Sequence, residues 1–438
     1  MERYIVSRGT GFQGTTIVPG DKSVSHRALM LGAIAEGETT VSGFLDGADC
    51  LATLAAMRDM GATIERSGEH VRILGRGRAG LNTPLDVLDL GNSGTSCRLL
   101  AGLLVGQRVR ATLTGDASLR SRPMERVAGP LRKMGASIAT TDGRAPILIE
   151  PVSALAGIET KLDVASAQLK SALLLAGLGA DGRTTVHSPG VSRDHTERML
   201  AAMGVEIHSE ADGSIVSVDG PVVLMGTDIE VPGDLSSAAF FLVAAAIGAT
   251  GPVTLRGVGI NPTRDGVLRI LKAMGARLTI ENRRTCGAEP VADLTVTSGV
   301  LRGIDIPPEW VPLAIDEIPV ICVAAAAASG RTRISEASEL RHKESDRISA
   351  MADALRAVGV AVSERPDGLE IDGGVLSGGV IMAHDDHRIA MSMAVAALAA
   401  SEPLEIRNTE NVITSFPGFV DTARQLGLQI AVEKTQAA

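Results

Sequence analysis

The sequence contains few aromatic residues, which argues against a surface that stacks nucleic-acid bases. Aromatic residues make up 2% of the 438 residues, and Tyr4 and Trp310 are each the single example of their type. The core must therefore be aliphatic. Positive charge is also in deficit: the formal net charge of -9 argues against nucleic-acid and membrane surfaces, which need a broad positive face. An anionic ligand would therefore have to bind at a local cluster of basic residues.

Cysteine is scarce, and its spacing argues against a zinc site or a disulfide framework. The four cysteines stand far apart, at Cys50, Cys97, Cys286 and Cys322. We therefore predict buried free thiols. Long uninterrupted apolar runs are missing as well, and no apolar segment follows the first basic residues, so we expect a cytoplasmic protein with no membrane contact.

One short pattern recurs through the chain, roughly every 70 to 85 residues. It consists of an apolar residue, a glycine and a β-like run, and its copies begin at Met60, Met134, Met203, Met274, Val358 and Leu426. Each copy closes a stretch with apolar residues at helical spacing, which predicts a helix, a glycine at its C-terminal cap and a strand. An Ala/Leu-rich helix and a further strand precede this pair in most units.

The repeats favour two groups of three around shared cores. Residues 18–23 are echoed by residues 231–237, which marks the start of a second half. We predict one domain from residues 1–20 plus 232–438 and another from residues 21–231. Helices such as residues 320–328 are almost entirely apolar and should be buried on every side, with sheets outside them. The predicted fold class is α/β.

Polar residues cluster where these apolar helices begin, and free backbone N–H groups there favour anions. Residues 20–27 place Lys22, Ser23 and Arg27 within two helical turns, although an ordinary charged N-cap looks the same. Residues 90–98 form a small-residue loop around Gly94 without the Gly-Lys-Ser/Thr ending of a nucleotide-binding P-loop. Arg122 follows in the next segment, where its guanidinium could bind carboxylate or phosphate by paired hydrogen bonds. A solvated loop would look the same.

Further polar groups occur at Ser166 and Gln168, at Ser192 and Arg193, and in residues 339–347. On a helix, Lys343 and Arg347 lie four residues apart on one face, whereas Glu344 points elsewhere. A solvated ladder of salt bridges is the alternative. Residues 384–388 contain two histidines and two aspartates, but no third group of ligands is nearby, so we predict no metal.

Taken together, these segments resemble the enolpyruvyl transferases, and specifically the 5-enolpyruvylshikimate-3-phosphate synthase family. The resemblance spans essentially the full chain and is most specific in residues 90–98 and 341–347. It implies an inside-out α/β barrel of two domains, each with three βαβαββ repeats, around a cleft that closes on ligand. It also implies transfer of the enolpyruvyl group of phosphoenolpyruvate to the 5-hydroxyl of shikimate 3-phosphate, by a monomer without metal or organic cofactor, with glyphosate as inhibitor.

The resemblance also implies roles for individual residues. Those implied to hold shikimate 3-phosphate are Lys22, Ser23, Arg27, Ser166, Gln168, Ser192, Arg193, Asp316 and Lys343. Those implied to surround phosphoenolpyruvate are Lys22, Gly94, Arg122, Gln168, Glu344, Arg347 and Arg388. Asp316 is the expected base and Glu344 the expected acid, while Lys22 donates to the departing phosphate.

Two positions depart from the pattern of the family, and two other functions compete with it. Many members have a lysine just before Phe416 and Pro417, where this chain has Thr414 and Ser415, and some have tyrosine in place of His195. The rival enolpyruvyl transferase acts on UDP-N-acetylglucosamine; it has Lys-Asn instead of Lys22-Ser23, and a cysteine in the loop occupied here by Arg120-Ser121-Arg122. A non-catalytic repeat scaffold is the alternative of another class.

Overall fold

The computed structural model describes residues 2–210 and 212–434, which fall into two compact units. Unit 1 consists of Met1–Pro19, Pro232–Thr285 and Pro290–Ala438, and unit 2 of Gly20–Val231 and Cys286–Glu289. The domain boundaries predicted from the sequence differ slightly, because they group Gly20 and residues 286–289 with unit 1. Within unit 2, Glu289 contacts His195 at 2.7 Å, and the Cys286 thiol lies 3.6 Å from the Glu230 carbonyl, which explains why this short segment groups there.

The strands follow one another through both units. They are β1 (Glu2–Ser7), β2 (Gly14–Ile17), β3 (Glu38–Ser42), β4 (Thr63–Ser67), β5 (His70–Leu74), β6 (Leu88–Asp89), β7 (Ala111–Thr114), β8 (Ser137–Thr141), β9 (Arg144–Glu150), β10 (Glu159–Lys161), β11 (Gly182–His187), β12 (Ile207–Ser209), β13 (Ile215–Gly220), β14 (Asp228–Glu230), β15 (Val253–Gly259), β16 (Arg277–Cys286), β17 (Glu289–Thr297), β18 (Arg331–Ile334), β19 (Ala361–Arg365), β20 (Gly368–Asp372), β21 (Gly379–Met382), β22 (Leu404–Arg407) and β23 (Gln429–Lys434).

Helices alternate with these strands. They are α1 (Lys22–Ile34), α2 (Ala48–Asp59), α3 (Gly94–Gln107), α4 (Ala117–Ser121), α5 (Glu125–Lys133), α6 (Ala167–Gly177), α7 (His195–Ala202), α8 (Leu235–Gly248), α9 (Gly266–Ala273), α10 (Ile318–Ala326), α11 (Arg347–Ala357), α12 (His387–Ala396) and α13 (Phe419–Gln425). Short 3₁₀ helices span Pro308–Trp310, Pro312–Ala314, Ser338–His342 and Glu410–Thr414.

The described strands form six sheets, three in each unit, with one recurring plan. In unit 2 the strand orders are β14-β3-β5-β4, β6-β7-β9-β8 and β10-β11-β13-β12. In unit 1 they are β21-β22-β1-β23, β16-β17-β15-β2 and β18-β20-β19. Five of the sheets have one parallel edge strand beside antiparallel neighbours, and in the sixth a single parallel bridge, Asp305 to Arg333, takes that place.

The recurring glycine predicted from sequence ends a helix in all six repeats. Its backbone φ is positive each time, at 89°, 94°, 87°, 93°, 83° and 109° for Gly61, Gly135, Gly204, Gly275, Gly359 and Gly427. A side chain is strained in this left-handed region, so glycine lets the chain leave the helix and enter the next strand. The prediction of a helix, a glycine cap and a strand is therefore confirmed.

The apolar helices are buried, as the sequence predicted. Every residue of α10 and α12 is buried, and so are 12 of the 14 residues of α3. A Cβ at Gly102 of α3 would lie 2.0 Å from the Ala172 carbonyl oxygen of α6, so glycine is needed for these helices to touch. Strands such as β5 alternate buried and exposed side chains, which leaves one face of the sheet to solvent.

The cysteine prediction is confirmed as well. All four thiols are buried and free, and burial raises the pKa of Cys97 and Cys322 to about 12. Across residues 2–210 and 212–434, none of the helices has the length and hydropathy needed to cross a membrane.

Candidate functional site

In unit 2, a lysine lies at the N-terminus of α1. Asp21 caps the helix by accepting from the Val24 N–H at 2.9 Å, and the Lys22 ammonium lies 2.9 Å from the Asp49 carboxylate. The Lys22 side chain remains 17% exposed. A cation and a helix N-terminus together favour an anionic ligand.

Arg27, one turn further along α1, is buried among hydroxyl groups. It donates to Thr196 Oγ1 at 2.6 Å, to Ser171 Oγ at 2.8 Å and to the Ser23 carbonyl at 3.0 Å. Burial lowers the pKa of Arg27 to about 10, while the nearby Glu197 carboxylate acts in the opposite direction. The guanidinium therefore stays charged at neutral pH.

The start of α6 is linked by side chains to the first two turns of α3. Ser166 caps α6, accepting from the Leu169 N–H at 3.4 Å. The Gln168 amide accepts from Arg98 at 2.8 Å and donates to Thr95 at 3.0 Å. Sequence reasoning did not select Arg98, although it lies within the 90–98 segment and was the one cation there.

Gly94 begins α3 between two guanidinium groups. A Cβ at this position would lie 2.9 Å from Arg98 Nη1 and 3.0 Å from Arg122 Nη1. Arg122 is buried, and it donates to Asn92 Oδ1 at 2.7 Å and to Ser118 Oγ at 3.1 Å. Two cations, from α3 and from the end of α4, therefore lie against the N-terminus of α3, where anions bind favourably.

Ser192 and Arg193 lie near the same group of residues. The charge of Arg193 contributes to lowering the pKa of Arg27, which places the two guanidiniums within electrostatic range. The Ser192 carbonyl accepts from Lys170 at 3.2 Å, and Lys170 forms a buried ion pair with Glu197 at 2.6 Å. Sequence reasoning missed Lys170; the available signal was a cation on the predominantly apolar helix α6.

In unit 1, a second group of charges surrounds the buried guanidinium of Arg347. We call it the Arg347 cluster; its members are Asp316, Lys343, Glu344, Arg347, Asp386 and Arg388. Arg347 donates to Asp386 at 2.8 Å, to Glu344 at 2.7 Å and to Asp316 at 3.3 Å. Burial opposes the charge of Arg347, but Asp386 and the other carboxylates raise its pKa above the ordinary value.

The remaining cations of the Arg347 cluster meet at Asp316. Lys343 lies 3.4 Å from the Asp316 carboxylate, and Arg388 donates to the Asp316 carbonyl at 3.0 Å. Asp386 caps α12 by accepting from the Arg388 N–H at 2.9 Å. The structure therefore brings together the five residues of this unit that the sequence selected, and adds Asp386.

The predicted geometry of Glu344 is wrong. Residues 343–346 are not helical, because the 3₁₀ helix ends at His342 and α11 begins at Arg347, capped by Asp346. In this conformation Glu344 turns toward Arg347 and bonds to it, instead of pointing away. The solvated-ladder alternative fails here too, since the Arg347 side chain is 1% exposed.

Residues 384–388 have an electrostatic role in the described structure. Asp386 is fully buried, and burial alone would raise its pKa, but the charges of Arg347 and His387 and the hydrogen bond from Arg347 together hold that pKa below its usual value. Within the described ranges, no three His, Cys, Asp or Glu side chains are grouped so that they could hold a metal ion.

The two departures from the pattern of the family have local partners. The Thr414 hydroxyl donates to the Asn411 carbonyl at 2.7 Å, within its own 3₁₀ turn. His195 is buried, and its Nδ1 lies 2.7 Å from Glu289, itself buried.

Comparison with known proteins identifies the family of the chain. The sequence profile described as EPSP synthase (3-phosphoshikimate 1-carboxyvinyltransferase) matches residues 6–423. The 3-phosphoshikimate 1-carboxyvinyltransferase of Acidithiobacillus ferrooxidans is 54% identical over 433 residues, covering 99% of each chain. That of Methylococcus capsulatus is 55% identical over 431 residues, covering 98% of each.

Solved structures give the same result. The EPSP synthase of Acinetobacter baumannii superposes with a TM-score of 0.88 at 51% identity, covering 99% of this chain and 100% of its own. The enolpyruvyl transferase NikO of Streptomyces tendae, at 19% identity and a TM-score of 0.79 over 99% of both chains, supports the fold alone. The chain belongs to the EPSP synthase (3-phosphoshikimate 1-carboxyvinyltransferase) family.

Proposed function

We propose which residues perform the reaction that this family membership assigns to the chain. The chain is a transferase of the shikimate pathway, which leads to the aromatic amino acids. It joins the enolpyruvyl group of phosphoenolpyruvate to the 5-hydroxyl of shikimate 3-phosphate and releases inorganic phosphate. The proposal assigns Lys22, Asp316 and Glu344 to proton transfer and the surrounding cations to substrate binding.

The Arg347 cluster is the observation that supports this assignment most directly. One buried guanidinium contacts both Asp316 and Glu344, so the two carboxylates are held near each other. In the addition step, Asp316 takes the proton of the 5-hydroxyl as its oxygen attacks C2, and Glu344 delivers a proton to C3. In the elimination step, C3 returns that proton and the bond from C2 to the phosphate oxygen breaks, with Lys22 donating to the leaving oxygen.

The cations in both units match the charge of the substrates. Each substrate has one phosphate and one carboxylate, and these groups leave water only where several cations and helix N-termini replace it. We assign Ser23, Arg27, Ser166, Gln168, Ser192, Arg193 and Lys343 to shikimate 3-phosphate. We assign Gly94, Arg122, Arg347 and Arg388 to phosphoenolpyruvate, with contributions from Lys22 and Gln168. Because free thiols persist in a reducing compartment, we place the protein in the cytoplasm. We also propose that the protein is a monomer.

Phosphate release tests the assignment of substrates. With phosphoenolpyruvate, we expect release of inorganic phosphate when shikimate 3-phosphate is added and none when UDP-N-acetylglucosamine is added. Addition of a chelator should leave the rate unchanged, because Lys and Arg supply the positive charge that the shifting phosphate needs. Release with the nucleotide sugar would contradict the substrate, and loss of activity with chelator would contradict the metal-free mechanism.

Replacing Gly94 with alanine should weaken glyphosate more than phosphoenolpyruvate. The added methyl would lie within 3.0 Å of two guanidinium nitrogens, so Arg98 and Arg122 must shift. Glyphosate is longer than the substrate and tolerates this crowding less. We expect its inhibition constant to rise about 10- to 100-fold and to exceed the change in KM for phosphoenolpyruvate.

The control for this experiment is Gly374→Ala, where no heavy atom lies within 4 Å of the added Cβ. That variant should keep both constants of the parent protein. An equal rise of both constants in Gly94→Ala would contradict the discrimination, and a parent already resistant to millimolar glyphosate would contradict the predicted sensitivity.

A further inference from the structure

A buried ion pair in unit 2 lies outside the residues assigned above. Lys170 on α6 is 1% exposed, and its ammonium lies 2.6 Å from the carboxylate of Glu197 on α7. Moving a lysine into such an environment is costly unless its charge is compensated by close partners. A second contact comes from the Ser192 carbonyl, which accepts from Lys170 at 3.2 Å.

The side chain of Ser192 indicates the role of the hydrogen bond from Lys170 to the Ser192 carbonyl. Its hydroxyl is buried and has no hydrogen-bond partner among the described residues. Buried hydroxyls normally have a partner, so the natural one here is an oxygen of a bound ligand. The Ser192 hydroxyl is therefore in place before the ligand binds. Lys170 holds Ser192 through the hydrogen bond to the Ser192 backbone carbonyl.

The residues next to this ion pair in the sequence also contact Arg27. Thr196, next to Glu197 on α7, accepts from Arg27 at 2.6 Å and lies 2.7 Å from Ser171, which follows Lys170 on α6. The Glu197 carboxylate acts to raise the pKa of Arg27. Helices α6 and α7 are thus connected by polar contacts at two successive residues of each helix. Both contacts lie beside residues assigned to shikimate 3-phosphate, namely Ser192 and Arg27.

We propose that Lys170 is a positioning residue for shikimate 3-phosphate, acting by fixing the Ser192 carbonyl so that the Ser192 hydroxyl meets the ligand. This inference rests on the proposed role of Ser192. Preorganisation of this kind lowers the cost of ordering a binding group and appears as affinity. Because Lys170 does not touch the reacting atoms, its loss should affect binding of one substrate and leave the chemical step intact.

The test is calorimetric titration of shikimate 3-phosphate into the full chain, together with steady-state kinetics. Lys170→Met should weaken binding about tenfold, the scale of one lost hydrogen bond. The KM for phosphoenolpyruvate and the kcat at saturating shikimate 3-phosphate should change less than about twofold. Leu174→Ala, a buried change on the same helix without polar contacts, should lower the melting temperature and leave the affinity unchanged.

Two double variants separate this role from a merely structural one. Lys170→Met with Glu197→Gln removes the unpaired carboxylate that the single change leaves behind, and it should bind as weakly as Lys170→Met. Lys170→Met with Ser192→Ala should bind no more weakly than Ser192→Ala alone, because Lys170 acts through that residue. Recovery of affinity in the first double variant, or multiplied losses in the second, would overturn the proposal.

The same titrations distinguish failure of this inference from failure of the proposed function. If Ser192→Ala binds as tightly as the parent, the assigned role of Ser192 is wrong. If Ser192→Ala weakens binding and Lys170→Met does not, the assigned role of Ser192 stands and the role of Lys170 is wrong.

Discussion

Replacing Glu344 with glutamine is expected to slow turnover about a hundredfold or more while leaving substrate binding nearly intact. The Glu344 carboxylate accepts from Arg347 at 2.7 Å, and the carbonyl oxygen of glutamine can accept the same bond. The side chain therefore keeps its shape and position but can no longer deliver a proton to C3. Steady-state measurements should show a fall in kcat with little change in either KM.

The matched control is Asp346→Asn, an equivalent loss of charge two residues away. Asp346 caps α11 by accepting from the Ser349 N–H at 3.2 Å, and asparagine caps helices equally well. Its kcat should stay within about twofold of the parent, since Asp346 has no assigned part in proton transfer. Normal turnover in Glu344→Gln would remove Glu344 from the mechanism.

Local patterns in the sequence were sufficient to predict the repeating architecture. A helix that ends at glycine is determined by residues within one or two turns, and glycine is needed because φ is positive there. The burial of helices such as α10 follows from a composition that is apolar on every face. Neither inference needs knowledge of residues far away in the chain, so both could be made from the sequence alone.

Polar contacts between distant segments could not be predicted in this way. The direction of the Glu344 side chain depends on where α11 begins, and the Asp346 cap sets that position. The partner of Glu344 is the Arg347 guanidinium, which is held by Asp386, a residue distant in the sequence. Lys170 and Glu197 are separated by a strand and a loop, and only the packing of α6 beside α7 makes them a pair. Helical spacing predicts which side chains share a face but gives no information about these partners.

The group of residues 286–289 is a further example. Sequence boundaries followed the repeats and kept this turn with the strands on either side of it. The turn groups with unit 2 because Glu289 bonds to His195, a contact between residues 94 positions apart. Such a pairing leaves no trace in composition or spacing.

Replacing Arg347 with methionine should destabilise unit 1 by about 3–5 kcal/mol at neutral pH, because Asp386 remains fully buried without its cation. Urea denaturation provides the measurement, with Arg356→Met as control. Arg356 lies on the same helix in a half-exposed pair with Asp353, 3.1 Å apart, and its loss should cost less than about 1 kcal/mol. Adding Asp386→Asn to Arg347→Met should recover part of the loss by removing the unpaired charge.

The pH dependence of this destabilisation follows from Asp386. Arg347 holds the pKa of Asp386 below its usual value, so in the parent the carboxylate stabilises the fold above the unfolded pKa of about 3.9, and this contribution is lost as pH falls through the lowered folded pKa. In the variant, burial and the Glu344 charge raise the pKa of Asp386, against a smaller opposing effect of His387, so Asp386 takes up a proton readily as the solution is acidified. The difference in unfolding free energy between parent and variant should therefore be widest at neutral pH and narrow toward pH 4 and below. A difference that stays constant between about pH 7 and pH 4 would show that lost packing, and not the unpaired Asp386, accounts for the destabilisation.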